Sequence, residues 1–263
     1  MRLALLVAYI GDGFWGSQLQ PGLRTVEGEF IRACERLSLF SDWREAGFAF
    51  SGRTDRGVHA YSQVCALATE HPERAIGALN QQLPRDCWCR GWAEVADGFH
   101  PRYAAISRTY RYFFMDPELD PALMGDAASL FIGSHDFSAF ARTEGKNPIR
   151  TILNAGVRRE GEFTVFEVKG ESFLWHMVRG MASALASVGR GEMTESELER
   201  LLREGGNRTY PAAPAAGLVL WDVDCGIEFA PLGMERRQII HLKDLFGQYA
   251  IRAKILSMLH PMG

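Results

Sequence analysis

Residues Phe50 to Val64 read FSGRTDRGVHAYSQV. An apolar stretch, Gly47 to Phe50, leads in, and a second, Ser62 to Thr69, leads out; both have the length and composition of strands. Between them Gly52 and Gly57 bracket Asp55, Arg53 and Arg56 flank it, and His59 follows. This pattern predicts two strands joined by a glycine-flexed loop that displays one carboxylate, the kind of place where function concentrates. The neighbouring arginines are expected to keep that carboxylate ionised. A partly desolvated aspartate can then serve as nucleophile, general base or partner for a cation. A structural Asp–Arg turn is the alternative.

Working outward, Leu3 to Tyr9 is an apolar run of strand length. No small-residue cleavage site follows it and the chain turns at Gly11, so it reads as a buried first strand rather than a leader. Thr25 can cap a helix with Val26, Phe30, Ala33 and Leu37 on one face. Pro72 opens a second helix carrying Ile76, Leu79 and Leu83, and Trp88 to Val95 is another strand. The order is β-α-β-β-α-β, the ferredoxin-like arrangement.

A similar order follows. Thr109 to Met115 is a strand, and Val157–Arg159 with Phe163–Val168 form a hairpin about Glu160-Gly161-Glu162. A helix is expected from about Ser172 to Val188. Thr194 and Glu197 form a capping box for another, ending at Gly205-Gly206. Leu218 to Val223 is the last strand. The expected fold class is α+β: two ferredoxin-like halves, residues 1–104 and 105–228, with a cleft between them. Residues 229–263 form a basic, amphipathic helical extension. It bears Ile239, Leu242, Phe246, Tyr249 and Ile255, and Arg236, Arg237, Lys243, Arg252 and Lys254 against Glu235 and Asp244. It is expected to pack on the body; an appendage facing RNA or a second subunit is the alternative.

The bulk composition of this 263-residue chain fits a globular protein, at 47% hydrophobic and 23% charged residues, with no run long enough to span a bilayer. The five cysteines (Cys34, Cys65, Cys87, Cys89, Cys225) match neither a disulfide framework nor a metal-binding spacing, and suggest reduced thiols in a cytoplasmic protein. A net charge of −3 argues mildly against nucleic acid as a bulk partner but leaves room for a local basic groove. Gly11 to Gly16, GDGFWG, follows a strand as phosphate loops do. It fits neither the dinucleotide fingerprint nor the lysine-bearing P-loop, so no nucleotide cofactor is expected.

Two further clusters carry potential chemistry. In Arg108-Thr-Tyr-Arg-Tyr-Phe-Phe114, strand alternation places Tyr110 and Tyr112 on one face and Arg111 and Phe113 on the other. Tyrosines beside arginines suit base stacking and phosphate contact; an aromatic core strand is the alternative. In Ser172 to Met181, SFLWHMVRGM, helical spacing gathers Leu174, Met177, Val178, Met181, Leu185 and Val188 on an apolar face. Ser172, His176, Arg179 and Ser183 fall opposite. Gly180 and the alanines keep this helix thin, so that Arg179 could reach a carboxylate across a groove; a solvated polar face is the alternative.

Taken together, these segments resemble the tRNA pseudouridine synthases of the TruA family. GRTDRGVHA is similar to the family signature GRTD-x-GVHA, and RTYRY to its tyrosine strand. GSHDFSAFAR (Gly133–Arg142) resembles its HDF-x-x-F segment, NPIRTI (Asn147–Ile152) its RTI turn, SFLWHMVRGM its SFL-x-HMVR helix, and APAAGLVL (Ala213–Leu220) its closing strand. The matches follow family order across roughly residues 1 to 225. Arg56 stands where bacterial members commonly have alanine and archaeal members look like this chain. The opening YIGDGFWG and the basic tail also depart from the bacterial pattern.

The resemblance implies a pseudouridine-synthase fold with a central, mainly antiparallel sheet. It also implies isomerisation of uridine in the anticodon stem-loop of tRNA (nucleotides 38 to 40), without cofactor or metal. Asp55 would be the catalytic aspartate and Arg179 its partner. Tyr110 would stack on the flipped base and help remove the C5 proton, and Arg53 would hold the base out of the helix. Arg53, Arg56, Arg108 and Arg111 would form a basic stripe for RNA on a homodimer that lies under one tRNA. A non-catalytic RNA-binding module, or an aspartate-dependent small-molecule hydrolase, are the alternatives. The hydrolase lacks a second acid, since Asp97, Asp116 and Asp136 lie in plain turn contexts. His59 and His176 could be scaffold residues or proton handlers.

Overall fold

The computed structural model describes residues 1–205 and 210–259. One ten-stranded sheet crosses the molecule. Its strands are β1 (Arg2–Tyr9), β2 (Ala49–Phe50), β3 (His59–Ala68), β4 (Cys87–Val95), β5 (Ser107–Phe114), β6 (Gly133–Asp136), β7 (Ile149–Glu160), β8 (Phe163–Gly170), β9 (Leu218–Asp224) and β10 (Ala230–Pro231). The helices are α1 (Val26–Arg36), α2 (Pro72–Gln82), α3 (Pro101–Ala104), α4 (Pro121–Ser129), α5 (Met177–Gly189), α6 (Glu195–Glu204) and α7 (Arg236–Leu259). Across the sheet the order is β10-β4-β1-β3-β9-β5-β8-β7-β6, with β2 also paired to β3.

Within this order a pattern repeats. β1 lies antiparallel between β4 and β3, with β2 beyond β3; β5 lies antiparallel between β9 and β8, with β7 beyond β8. The first set runs β1-α1-β2-β3-α2-β4, the expected β-α-β-β-α-β order, and the second runs β5-α4-β7-β8-α5-β9 with β6 added before β7 and α6 after α5. The sets meet where β3 and β9 run parallel for only two residue pairs, His59–Val219 and Ala60–Leu220. A parallel contact this short is easily built between two sheets that are each closed by antiparallel ladders. It sits four residues beyond Asp55 in the chain.

Local signals explain where several helices start and stop. The Thr25 hydroxyl accepts from the Gly28 N–H and starts α1, which buries Val26, Phe30, Ala33 and Cys34. Pro72 opens α2 where a missing N–H costs nothing. Thr194 and Glu197 form the reciprocal box that starts α6, which stops at Gly205; Gly206, its other expected stop residue, lies outside the described residues. Two buried clusters result. One gathers Leu3, Leu5, Phe30, Phe50, Cys65 and Leu79, and the other Phe131, Phe140, Phe166, Met177, Met181 and Leu185.

Three expectations need correction. First, α4 was not foreseen, although Asp120 caps it by accepting from the Ala122 and Leu123 N–H groups and Pro121 occupies its first turn. Second, the helix expected from Ser172 begins at Met177, because His176 adopts a left-handed φ of 65° that a helix cannot pass through. Third, α7 touches the body in part: the Tyr249 hydroxyl donates to Asp12 Oδ2 (2.6 Å), while the last turns of the helix are exposed. Arg237 donates to the carbonyls of Asn80, Gln81 and Leu83, and Gln238 to those of Asn80 and Cys87, which anchors the first turn. From Gln248 to Leu259 every residue is exposed. The helix carries two apolar stripes, Leu242, Leu245, Phe246, Tyr249 and Leu256 on one side and Ile240, Ile251 and Ile255 on another, so one face cannot cover them all. No helix among the described residues is long and apolar enough to cross a membrane.

Candidate active site

The loop that carries Asp55 is fixed from beneath by the glycine-rich turn of residues 11–16. The Ser17 N–H donates to the Thr54 carbonyl (3.1 Å), and the Thr54 N–H to the Ser17 hydroxyl (2.8 Å). Tyr9 and Thr54 share a buried hydroxyl hydrogen bond of 2.8 Å. A Cβ on Gly11 would sit 2.2 Å from the Val58 carbonyl oxygen, and one on Gly16, at φ +90°, 2.9 Å from that of Thr54. GDGFWG is therefore glycine-rich because two backbones touch there, and its function is to seat the aspartate loop. The Gly11 N–H donates to His59 Nδ1 (3.0 Å), which leaves Nε2 to carry the proton, 3.8 Å from Asp12. Burial lowers the His59 pKa, against the opposing pull of Asp12. His59 is thus a neutral scaffold residue beneath the loop.

Across an open cleft of about 850 Å³ the start of α5 faces this loop. Arg179 donates from Nη1 to Asp55 Oδ2 (2.9 Å) and from Nε to the Ala213 carbonyl (2.6 Å). His176 Nε2 lies 3.4 Å from the same Oδ2, and its pKa is lowered, chiefly by burial and then by Arg179 and Arg142, against Asp55. The other oxygen, Oδ1, accepts from the Trp175 indole N–H (2.9 Å). The carboxylate side chain retains 23% of its exposure and the Arg179 side chain 16%, so the pair is shielded yet open to the cleft. Gly180 permits this approach: a Cβ there would meet the Phe140 carbonyl oxygen at 2.1 Å, so the helix rests directly on backbone.

Tyr110 lines the same cleft, edge-on to Phe173 with ring centroids 5.1 Å apart. Removal from water, together with nearby Asp55, pushes its phenol up to about 12, although Arg108 opposes the shift. It is therefore a neutral hydroxyl at physiological pH. Tyr112, on the same strand face, donates to the Pro214 carbonyl (3.0 Å) and belongs to the core.

The predicted arginines separate into different roles. Arg53 and Arg56 are exposed on the cleft wall, and Arg56 stacks 3.7 Å above the Trp15 ring; the cation on the Asp55 carboxylate is Arg179, not either sequence neighbour. Arg108 lines the cleft but donates to the carbonyls of Ser51, Arg102 and Glu171, so it ties the aspartate loop to β5. Arg111 is not in the cleft. It lies on the opposite face of the sheet, paired with Glu167 (2.6 Å) and stacked 3.7 Å over Trp221, and a continuous stripe cannot include it. Strand alternation against Tyr110 was the signal that separates them. Sequence reasoning missed Trp175, although the signal was available: in a helix it falls four residues before Arg179 and on the same side.

The cysteines Cys34, Cys65, Cys87 and Cys89 are buried, with thiols raised by that burial, and among the described residues no cluster of three or more ligating side chains could hold a metal ion.

Comparison with known proteins agrees with this geometry. The family model described as tRNA pseudouridine synthase matches residues 127–224, which includes Trp175, His176 and Arg179. A Methanoculleus marisnigri protein named tRNA pseudouridine synthase A is 58% identical over 98% of this chain and 96% of its own length. Namesakes from Methanosphaerula palustris (52% identical, 100% of this chain, 94% of that protein) and Thermococcus onnurineus (44%, 95% and 94%) are also similar throughout. With near-complete coverage at these identities, and with a carboxylate, arginine and tyrosine converging on one cleft, this chain belongs to the tRNA pseudouridine synthase A family, in its archaeal form.

Proposed function

We propose that this protein isomerises uridine to pseudouridine in the anticodon stem-loop of tRNA. The observation that carries the reading is the Asp55–Arg179 pair, 2.9 Å apart across a cleft whose wall includes Tyr110. The reaction breaks the bond between N1 and the sugar, turns the base, and joins C5 to the same sugar carbon. The C5 proton is lost and N1 gains one, so atoms and electrons balance without an oxidant or an imported group. Asp55 engages the nucleoside with its charge compensated at Oδ2, either by adding to it or by taking a sugar proton. Tyr110, a neutral phenol, packs on the extruded base and exchanges a hydrogen bond with it. Arg53 and Arg56 stand where the displaced helix strands would pass, and offset part of the few kcal/mol that unstacking costs, roughly.

Two finer statements belong to the same proposal. The enzyme acts as a cytoplasmic homodimer on one tRNA. The chain divides at residues 1–104, 105–228 and 229–263, a division supported by the two separate buried clusters and the largely exposed α7. The test is tritium release from tRNA labelled at uridine C5, for wild type and Asp55→Ala, alongside tRNA binding. Release by wild type alone, with equal binding, supports the assignment; binding without release from either protein defeats it. Transcripts lacking the anticodon arm should release nothing.

A further inference from the structure

Asp55 has two carboxylate oxygens in unlike surroundings. Oδ2 is engaged by Arg179 and lies close to His176. Oδ1 has the Trp175 indole N–H, at 2.9 Å. A carboxylate held by one oxygen alone can still pivot about its Cβ–Cγ bond. A second donor, on the other oxygen and from another direction, stops that pivot. Because each carboxylate oxygen accepts in two directions, Oδ1 keeps one direction open to the cleft. Arg179 and His176 both occupy the approach to Oδ2, so Oδ1 is the oxygen left open to react.

Trp175 is itself held for this task. Its carbonyl accepts from the Arg142 N–H (2.9 Å), an isolated bridge to the segment before β7. Its ring packs against the His176 imidazole (centroids 4.7 Å apart) and beneath the Arg142 guanidinium at 4.9 Å. The left-handed turn at His176 then separates two directions: Trp175 faces the cleft, and α5 starts at once and carries Arg179 to the opposite oxygen. Non-glycine residues in this conformation are uncommon, and such strain gathers at functional sites. The indole is 42% exposed, so packing alone does not explain a tryptophan there. A residue used only for stacking would have no need to aim its N–H at a carboxylate.

We infer that Trp175 is a positioning residue: its N–H locks the Asp55 carboxylate with one lone pair of Oδ1 presented to the nucleoside. The inference rests on the isomerase reading above. The test compares wild type, Trp175→Phe, and a variant with 3-benzothienylalanine at position 175, which keeps the bicyclic shape but has sulfur in place of the N–H. Single-turnover tritium release at saturating tRNA gives the chemical step, and tRNA binding is measured separately. Both variants should bind tRNA within about twofold of wild type and release tritium about tenfold more slowly, the scale of one hydrogen bond to a charged group reduced for partial exposure. A benzothienylalanine variant with the wild-type rate overturns the inference, as does a loss confined to binding. A wild-type protein that releases no tritium defeats the isomerase reading and the inference with it; an active wild type matched by its variants defeats the inference alone.

Discussion

Gly11→Ala makes a severe demand on the Asp55 loop without substituting Asp55, Tyr110 or Arg179 themselves. The added methyl would lie 2.2 Å from the Val58 carbonyl oxygen, 2.5 Å from its carbon and 2.8 Å from the Gly57 carbonyl carbon. Carbon atoms in contact sit about 3.5 Å apart, so the two segments must separate by roughly 1 Å. All three obstructing atoms are backbone, and no side chain can swing aside. The Val58 N–H donates to the Asp55 carbonyl (3.1 Å), so the displacement passes directly to the aspartate. Misplacement by about 1 Å can cost around a hundredfold in rate. Overpacking should also remove about 1–3 kcal/mol of stability, at roughly 2–4 °C of Tm per kcal/mol. The assays are single-turnover tritium release, tRNA binding and thermal unfolding. The comparison is Gly77→Ala on α2, where a methyl meets nothing within 4 Å and helix propensity should add about 0.5–1 kcal/mol. Gly11→Ala with a rate within threefold of wild type, or with a loss confined to tRNA binding, would refute this account of the glycine turn.

Arg179→Met should slow tritium release by about a hundredfold or more with tRNA affinity little changed, because it strands the Asp55 charge in a shielded site and leaves the Ala213 carbonyl without its donor; rates and binding measured side by side decide it. Burial holds both His59 and His176 below their ordinary value, so the fold prefers each neutral. Their contribution to stability is complete above about pH 6.5 and is lost as pH falls through the lowered folded values; Tm should stay level from pH 8 to 6.5 and then decline, with a shallower decline in His59→Gln. An unchanged slope in that variant would remove His59 from the account. Arg237→Ala should cost about 1–2 kcal/mol in urea unfolding, since it uncovers the last carbonyls of α2, and should leave the tritium-release rate unchanged.

What the sequence made legible was whatever depends on local pattern or on the order of elements. The strand before Gly11, the caps at Thr25 and Thr194, and the proline that opens α2 are short-range signals, and each is where it was expected. Asp120-Pro121 was an equally good signal for α4 that was passed over. The errors concern side-chain direction and long-range contact. Leu174 fits the apolar face of a helix and is indeed buried, yet it reaches the core from an extended segment. That segment is held by Arg142, distant in sequence, and no window around Ser172 contains the information. In the tail, Ile239, Leu242, Phe246 and Tyr249 do share one side, and what seats it, Tyr249 on Asp12 and Arg237 on the end of α2, is distant in sequence and outside any local pattern.

The Asp55–Arg179 pair, catalytic in the proposed reaction, also has a mechanical meaning. Asp55 leads into β3 and Arg179 belongs to α5, whose apolar face is buried in the other cluster. The strands of the two clusters meet in register over only His59–Val219 and Ala60–Leu220. Contacts that cross this seam therefore matter more than their number suggests, and several converge on the aspartate loop. Arg179 reaches Asp55, Trp175 reaches the same carboxylate, and Arg108 on β5 grips the Ser51 carbonyl. The bonds that orient the carboxylate are thus among those that set the angle between the two sets of strands. A site built wholly within one set would keep its geometry whatever the other set did; this one requires both to be in place before Asp55 and Arg179 meet.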